Sequence, residues 1–146
     1  MRIAVIADTH GRLPEPAIPA LREADEIWHL GDFCDVATLD AVRQIGPPVL
    51  AVRGNNDFGL DLPISLTLER SGKTFFLIHI PPAAGVVVAG FLLHGHTHVP
   101  RDEMIGPTRF LNPGTLGKAD KGPPRSYAWL TIPPNGMITW QVVRQF

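Results

Sequence analysis

The apolar positions of this chain fall in short runs, and most of the runs end on a cluster of polar residues. Arg2 to Ala7 is a β-rich apolar run that stops abruptly at Asp8-Thr9-His10-Gly11, the pattern of a buried strand followed by a turn. Leu13, Ile18, Leu21 and Ala24 recur at roughly helical spacing. Pro14, Pro16 and Pro19 restrict that segment to a loop and a short helix from about Ala17. Glu26 to Leu30 reads as the second strand and runs into Gly31-Asp32-Phe33-Cys34-Asp35. Asp35 is placed to cap a helix over Val36 to Gln44, which Pro47-Pro48 ends. Val49 to Val52 is the third strand, followed by Arg53-Gly54-Asn55-Asn56-Asp57.

After Asp57 the pattern changes. Ile64 to Leu68 and Thr74 to Ile78 alternate like antiparallel strands around Ser71-Gly72, and the second ends in His79. Ile80 to Gly90 holds two prolines and three valines and reads as a loop or a short helical turn. The lack of polar side chains from Ile80 to Leu93 suggests a covered surface, such as a contact in a homo-oligomer, a dimer or tetramer. Phe91 to Leu93 leads into His94-Gly95-His96-Thr97-His98. Asp102 to Ile105 and Arg109 to Asn112 form a hairpin around Gly106-Pro107, and Asn112-Pro113-Gly114-Thr115 is a turn. Lys118 to Arg125 is a polar loop. Tyr127 to Ile132 and Met137 to Val143 close the chain as a hairpin around Pro133-Pro134-Asn135-Gly136. The expected class is α/β, with parallel βα units in the first half and mainly antiparallel β in the second.

Composition narrows the function classes. A chain of 146 residues fits one domain, residues 1–146, with a real core. The net charge of −1 and the absence of basic blocks argue against a nucleic-acid-gripping protein. Cys34 is the only cysteine, which rules out an internal disulfide and suits a reducing compartment. Five apolar residues before Asp8 are too few for a signal-peptide core, and no apolar run is long enough to span a membrane. These points lead to the expectation of a cytoplasmic protein with no membrane partner.

The candidate chemistry sits at the strand ends. One polar cluster there is what an ordinary turn looks like. Three in register across successive βα units form a pattern, because open α/β sheets bind ligands at the carboxyl ends of their strands. The groups so placed are Asp8, His10, Asp32, Asn55, His79, His96 and His98. An extended His94 to His98 segment would point its three imidazoles the same way. His29, inside a strand, reads as a core histidine, Cys34 as a buried structural thiol, and Asp35 as a cap. Seven mixed oxygen and imidazole donors exceed what one octahedral ion with open positions takes, so they argue for two ions. Such donors suit Mn²⁺, Fe, Zn²⁺ or Ni²⁺ better than Ca²⁺ or Cu⁺. Two ions about 3.5–4 Å apart are the apparatus of two-metal phosphoryl transfer.

Asp8-Thr9-His10, Gly31-Asp32-x-x-Asp35, Gly54-Asn55-x-Asp57, His79 and Gly95-His96-Thr97-His98 together resemble the signature of the calcineurin-like metallophosphoesterases. Asn112-Pro113-Gly114-Thr115 resembles the Asn-Pro-Gly-Ser turn of the small bacterial and archaeal phosphodiesterase branch. The resemblance implies a four-layer α/β/β/α sandwich with a dinuclear site along one edge. It implies that Asp8, His10 and His98 hold one metal, that Asn55, His79 and His96 hold the other, and that Asp32 bridges. It further implies hydrolysis of a small phosphate ester, most simply a phosphodiester, by a hydroxide held between the metals.

Three features depart from that pattern. Many relatives follow the Asn of the third motif with His, a candidate acid for the leaving group, and this chain has Asn56. His79 is normally followed by Gly, and here Ile80 follows. The connection from His79 to Gly95 is shorter than in many relatives and shows no clear helical pattern. A rival reading from another class is a metal-binding interaction scaffold similar to the retromer subunit with this fold. An eroded ligand set would favour it, whereas all seven donors are present.

Overall fold

The computed structural model describes residues 1–83 and 90–146. In chain order the strands are β1 (Arg2–Ile6), β2 (Glu26–His29), β3 (Val49–Ala51), β4 (Ser65–Arg70), β5 (Lys73–Ile78), β6 (Gly90–Leu93), β7 (Arg101–Ile105), β8 (Thr108–Asn112), β9 (Tyr127–Thr131) and β10 (Thr139–Val143). The helices are α1 (Ile18–Leu21), entered through a 3-10 turn at Glu15–Ala17, and α2 (Val36–Arg43). Pro16 and Pro19 fall in first-turn positions, where the missing N–H has no partner to lose. Asp35 caps α2 as expected, its carboxylate accepting from Thr38 N at 2.7 Å.

Two mixed five-stranded sheets form, in the orders β10-β9-β1-β2-β3 and β4-β5-β6-β8-β7. β1 and β3 both run parallel to β2, as the βα pattern requires. The hairpins β4–β5, β7–β8 and β9–β10 are antiparallel. The second sheet also holds parallel pairs that alternation does not reveal, since β6 runs parallel to both β5 and β8.

β1 explains its own unbroken apolar run. It lies inside the first sheet, with Ala4 and Ile6 facing a core shared with α1 and α2, and Ile3, Val5 and Ala7 facing a core between the two sheets. The inter-sheet core is anchored by Trp28 edge-on to Phe75 at 5.4 Å and by Phe75 stacked on Phe91 at 5.0 Å. Each such side chain withdrawn from water contributes about 1.5–3 kcal/mol. The architecture is α/β, two mixed sheets enclosing a shared core. Both described helices lie against the first sheet. Residues 84–89, on which the expectations for the Ile80–Gly90 connection and its apolar surface fall, lie outside the described residues. No described helix is long and apolar enough to cross a membrane.

Candidate metal centre

The carboxyl ends of β1, β2 and β3 in one sheet meet those of β5, β6 and β8 in the other. Backbone pairing continues past the strand ends and sets the register there. Asp8 N donates to Gly31 O at 3.0 Å, His10 N to Asp32 O at 3.0 Å and Gly11 N to Phe33 O at 2.8 Å. Across the second sheet Gly95 N donates to His79 O at 3.0 Å. The Asn112 turn joins the two sides. Asn112 Nδ2 donates to Gly95 O and Thr97 Oγ1, and Thr115 Oγ1 donates to Asp8 O at 3.1 Å.

The backbone is unusual here. Asp8, His10, Asp32, Cys34, His96 and His98 all have φ between 47 and 77°. Such conformations cost a non-glycine residue roughly 1–3 kcal/mol each and persist only where the surroundings hold them. The expectation that His94, His96 and His98 share one extended face is therefore corrected. β6 ends at Leu93, and the chain coils left-handed at His96 and His98. His94 is sent elsewhere: Nδ1 donates to Gly95 O at 2.9 Å and Nε2 accepts from Arg101 at 3.1 Å. Burial, reinforced by the Arg101 charge, pushes its pKa down to about 4.

The seven candidate donors come together. Asp8 Oδ1 lies 3.7 Å from His10 Nε2, 3.5 Å from His98 Nε2 and 3.9 Å from His79 Nε2. Asp32 Oδ2 lies 3.5 Å from His10 Nε2 and 3.4 Å from His79 Nε2. Asp8, His10 and His98 thus make one compact set, and Asp8, Asp32 and His79 another. At the exposed rim Asn55 Oδ1 is 3.1 Å from His96 Nδ1, the His96 ring stands edge-on to His79 at 5.2 Å, and His96 N donates to Asp8 Oδ2.

Three of the rings are aimed from behind. His79 Nδ1 donates to Leu30 O at 2.7 Å, His98 Nδ1 sits 2.7 Å from Asp120 Oδ1, and His10 Nδ1 sits 3.4 Å from Cys34 Sγ. Each ring is held at Nδ1 and presents Nε2 to the carboxylates, the arrangement that orients a metal-binding imidazole. Cys34 is therefore not the buried structural thiol expected from sequence. It is half-buried and backs His10, and burial together with nearby carboxylates raises its pKa to about 11.

The donor set fits a divalent cation. Asp8 Oδ1 and His79 Nε2 are buried and have no hydrogen-bond partner, at a cost of about 1–3 kcal/mol for each such atom. Donors about 2.0–2.2 Å from a shared ion stand about 3.0–3.5 Å from one another. Among Asp8, His10, Asp32, His79 and His98 the close spacings run from 3.2 Å, between His10 Nε2 and His98 Nε2, to 3.9 Å. Both carboxylates are ready to ionise. Burial opposes charge on Asp32, yet His79 and the Asn56 donors outweigh it and hold the carboxyl well below the usual range. Burial likewise opposes charge on Asp8, and the His10 and His98 rings outweigh it.

Asp57 is a positioning group whose role sequence reasoning missed. It is buried, and its carboxylate accepts from Asp32 N at 2.9 Å, Cys34 N at 2.9 Å and Gly54 N at 2.6 Å. One side chain thus binds the loop after β2 to the loop after β3. Gly54 is required beside it, because a Cβ there would run into Asp32. The invitation to look was the fixed Gly54-Asn55-x-Asp57 spacing, but nothing local shows which donors the carboxylate meets.

The calcineurin-like phosphoesterase superfamily domain matches residues 1–134. This chain belongs to that superfamily. It is 26% identical to the probable metallophosphoesterase YsnB of Bacillus subtilis over 147 residues, covering 90% of this chain and 85% of that protein. It is 26% identical to the phosphodiesterase YfcE of Escherichia coli over 163 residues, covering 89% of this chain and 87% of YfcE. In fold it is similar to Vps29 of Entamoeba histolytica, solved in complex with zinc, with a TM-score of 0.75, 21% identity and 98% of each chain covered.

Calcineurin-like phosphoesterases use divalent metals, and this member carries candidate ligand residues for them. Its departures from the family pattern have visible consequences. Asn56 turns inward, Nδ2 donating to Asp32 Oδ2 at 2.9 Å and its backbone N to Asp32 Oδ1 at 3.0 Å. Ile80 is 48% exposed and, with Ile64, forms an apolar lip beside Asn55.

His29, read from sequence as a core histidine, is fully buried beneath the centre. Gly31 N donates to its Nδ1 at 3.0 Å, and its Nε2 donates to Thr9 Oγ1 at 3.0 Å. Burial depresses its pKa from 6.5 to about 3. The unfolded chain therefore binds a proton at His29 that the folded one refuses, so the His29 contribution to stability is fully present above pH 6.5 and is lost as pH drops toward 3. The expected slope from His29 in the metal-free protein is up to about 1.4 kcal/mol per pH unit. Urea unfolding of wild type and His29→Asn between pH 7 and 4.5 measures it. The variant removes the titrating ring and should be the flatter of the two, and equal slopes would refute the assignment.

Proposed function

We propose that this chain is a dinuclear metal-dependent phosphodiesterase, one domain that hydrolyses a small phosphodiester in the cytosol. The observation that carries the reading is the pair of buried, unpartnered atoms, Asp8 Oδ1 and His79 Nε2, converging 3.9 Å apart beside Asp32 Oδ2. Asp8, His10 and His98 would hold one ion, and Asn55, His79 and His96 the other. Asp32 would serve both, its Oδ2 being about equally far from His10 Nε2 and His79 Nε2, at 3.5 and 3.4 Å. Two divalent ions there, manganese first, supply Lewis acidity toward phosphate oxygens and water activated at neutral pH. The protein's own part is to keep Asp8 and Asp32 ionised and to aim Nε2 of His10, His79 and His98 inward by engaging each Nδ1 elsewhere. Asn56 clamps Asp32, and Asn55 and His96 define the open rim where an ester enters.

The test is to strip the protein of metal, restore manganese, nickel, zinc or magnesium separately, and assay an activated phosphodiester and an activated phosphomonoester. Turnover should return with a transition metal and favour the diester. Metal binding without turnover under every condition would support a scaffold in place of an enzyme.

A further inference from the structure

The mouth of the metal centre opens past His10 into a second cleft of about 480 Å³, walled by Arg12, Cys34, Lys118, Asp120 and Arg125. His10, Lys118 and Asp120 line both spaces, and Lys121 lines the metal-centre side. In a chain of net charge −1, four cations are gathered at this one place. Among the described residues the one carboxylate lining the cleft itself, Asp120, is already engaged, Oδ1 with His98 Nδ1 at 2.7 Å and Oδ2 with Lys118 Nζ at 3.5 Å. Among the described residues Arg12, Lys121 and Arg125 pair with no carboxylate.

The wall is fixed to the centre. Gly117 N donates to Asp8 O at 3.1 Å, Lys118 N to Thr115 Oγ1 at 3.1 Å, and Asp120 grips His98. Gly117 admits no side chain, since a Cβ would run into Thr9 O. The same loop therefore backs a candidate ligand histidine and carries cations toward whatever enters. Two guanidinium forks beside an ammonium match the oxygens of a phosphate better than those of an uncharged group.

We propose that this basic cleft is a subsite for a second phosphate on the substrate. The preferred substrates would then be phosphodiesters that carry a further phosphomonoester, as some nucleotides do. The inference rests on the phosphodiesterase reading for its scissile bond but not for its binding site.

The full chain, loaded with the metal that supports activity, would be given thymidine 5′-(p-nitrophenyl phosphate) with and without a 3′-phosphate. The 3′-phosphorylated probe should have the higher kcat/KM by roughly tenfold or more. That ratio should shrink in the double variant Arg12→Gln/Arg125→Gln and with rising ionic strength. Calorimetry on the metal-free protein gives a readout without turnover. Thymidine 3′,5′-bisphosphate should bind more tightly than thymidine 5′-monophosphate, and the double variant should lose the difference. Equal kcat/KM and equal affinities, or a preference that survives the double variant, would overturn the subsite. Preferential binding of the bisphosphate with neither ester cleaved would leave the subsite standing and sink the phosphodiesterase reading.

Discussion

Asp32→Asn should lower kcat/KM on an activated phosphodiester by about three orders of magnitude. The reason lies in how both carboxylate oxygens are used. Oδ1 accepts from Asn56 N at 3.0 Å, while Oδ2 accepts from Asn56 Nδ2 at 2.9 Å and faces His10 and His79 at 3.5 and 3.4 Å. An amide has one oxygen. Whichever way it turns, its NH2 group meets a donor of Asn56, and in one orientation it also points at the histidine nitrogens. The substitution further removes a negative charge from a site whose attraction for divalent cations rests on Asp8 and Asp32. The variant should remain folded, because the inter-sheet core does not include residue 32. Metal content, turnover and thermal melting measured together check this. Turnover within tenfold of wild type would remove Asp32 from the mechanism.

The second large effect concerns the leaving group. Asn56 carries no transferable proton, and its side-chain amide is committed to Asp32. General-acid assistance is worth about 10²–10⁴ in rate, and it matters most when the departing alkoxide is a poor one. The rate should therefore fall steeply as the leaving-group pKa rises across a series of aryl and alkyl diesters. Asn56→His should make the dependence shallower by helping the poor leaving groups most. The slope of log kcat/KM against leaving-group pKa is the measurement. A shallow slope in the wild type would show that another group of the protein delivers the proton.

The two expectations share a cause, the inward turn of Asn56. Sequence alone places a neutral residue where many relatives have histidine. It does not show that the amide then clamps the proposed bridging carboxylate. The departure at position 56 thus affects both how firmly Asp32 is held and how the product leaves.

Much of the architecture was legible from local pattern. Short apolar or alternating runs located β1, β2, β3, β5 and the closing hairpin to within a residue or two, because a strand buried on both faces is apolar throughout and a half-buried one alternates. Capping by Asp35 was readable because the carboxylate reaches only three residues along the chain. The seven candidate donors were readable because each falls just past an apolar run, at the edge where parallel strands end. Their convergence needs β1, β2 and β3 side by side in one sheet and the parallel β5 and β6 ending at the same edge of the other.

Other features depend on contacts far apart in sequence. The parallel placement of β6 between β5 and β8 joins segments whose local patterns are silent about direction. The left-handed turns at His96 and His98 separate His94 from its neighbours, and no local signal marks them. Asp57 meets Asp32 and Cys34 across more than 20 residues, and Asp120 meets His98 across 22. By itself the sequence determined which residue types stand at the strand ends, and therefore the class of chemistry on offer. Only the tertiary structure decided which atom of each imidazole faces inward and which groups hold it there. It also decided which cations face the same cleft. Those choices are made by hydrogen bonds and charges brought together through folding, and local periodicity carries no record of them.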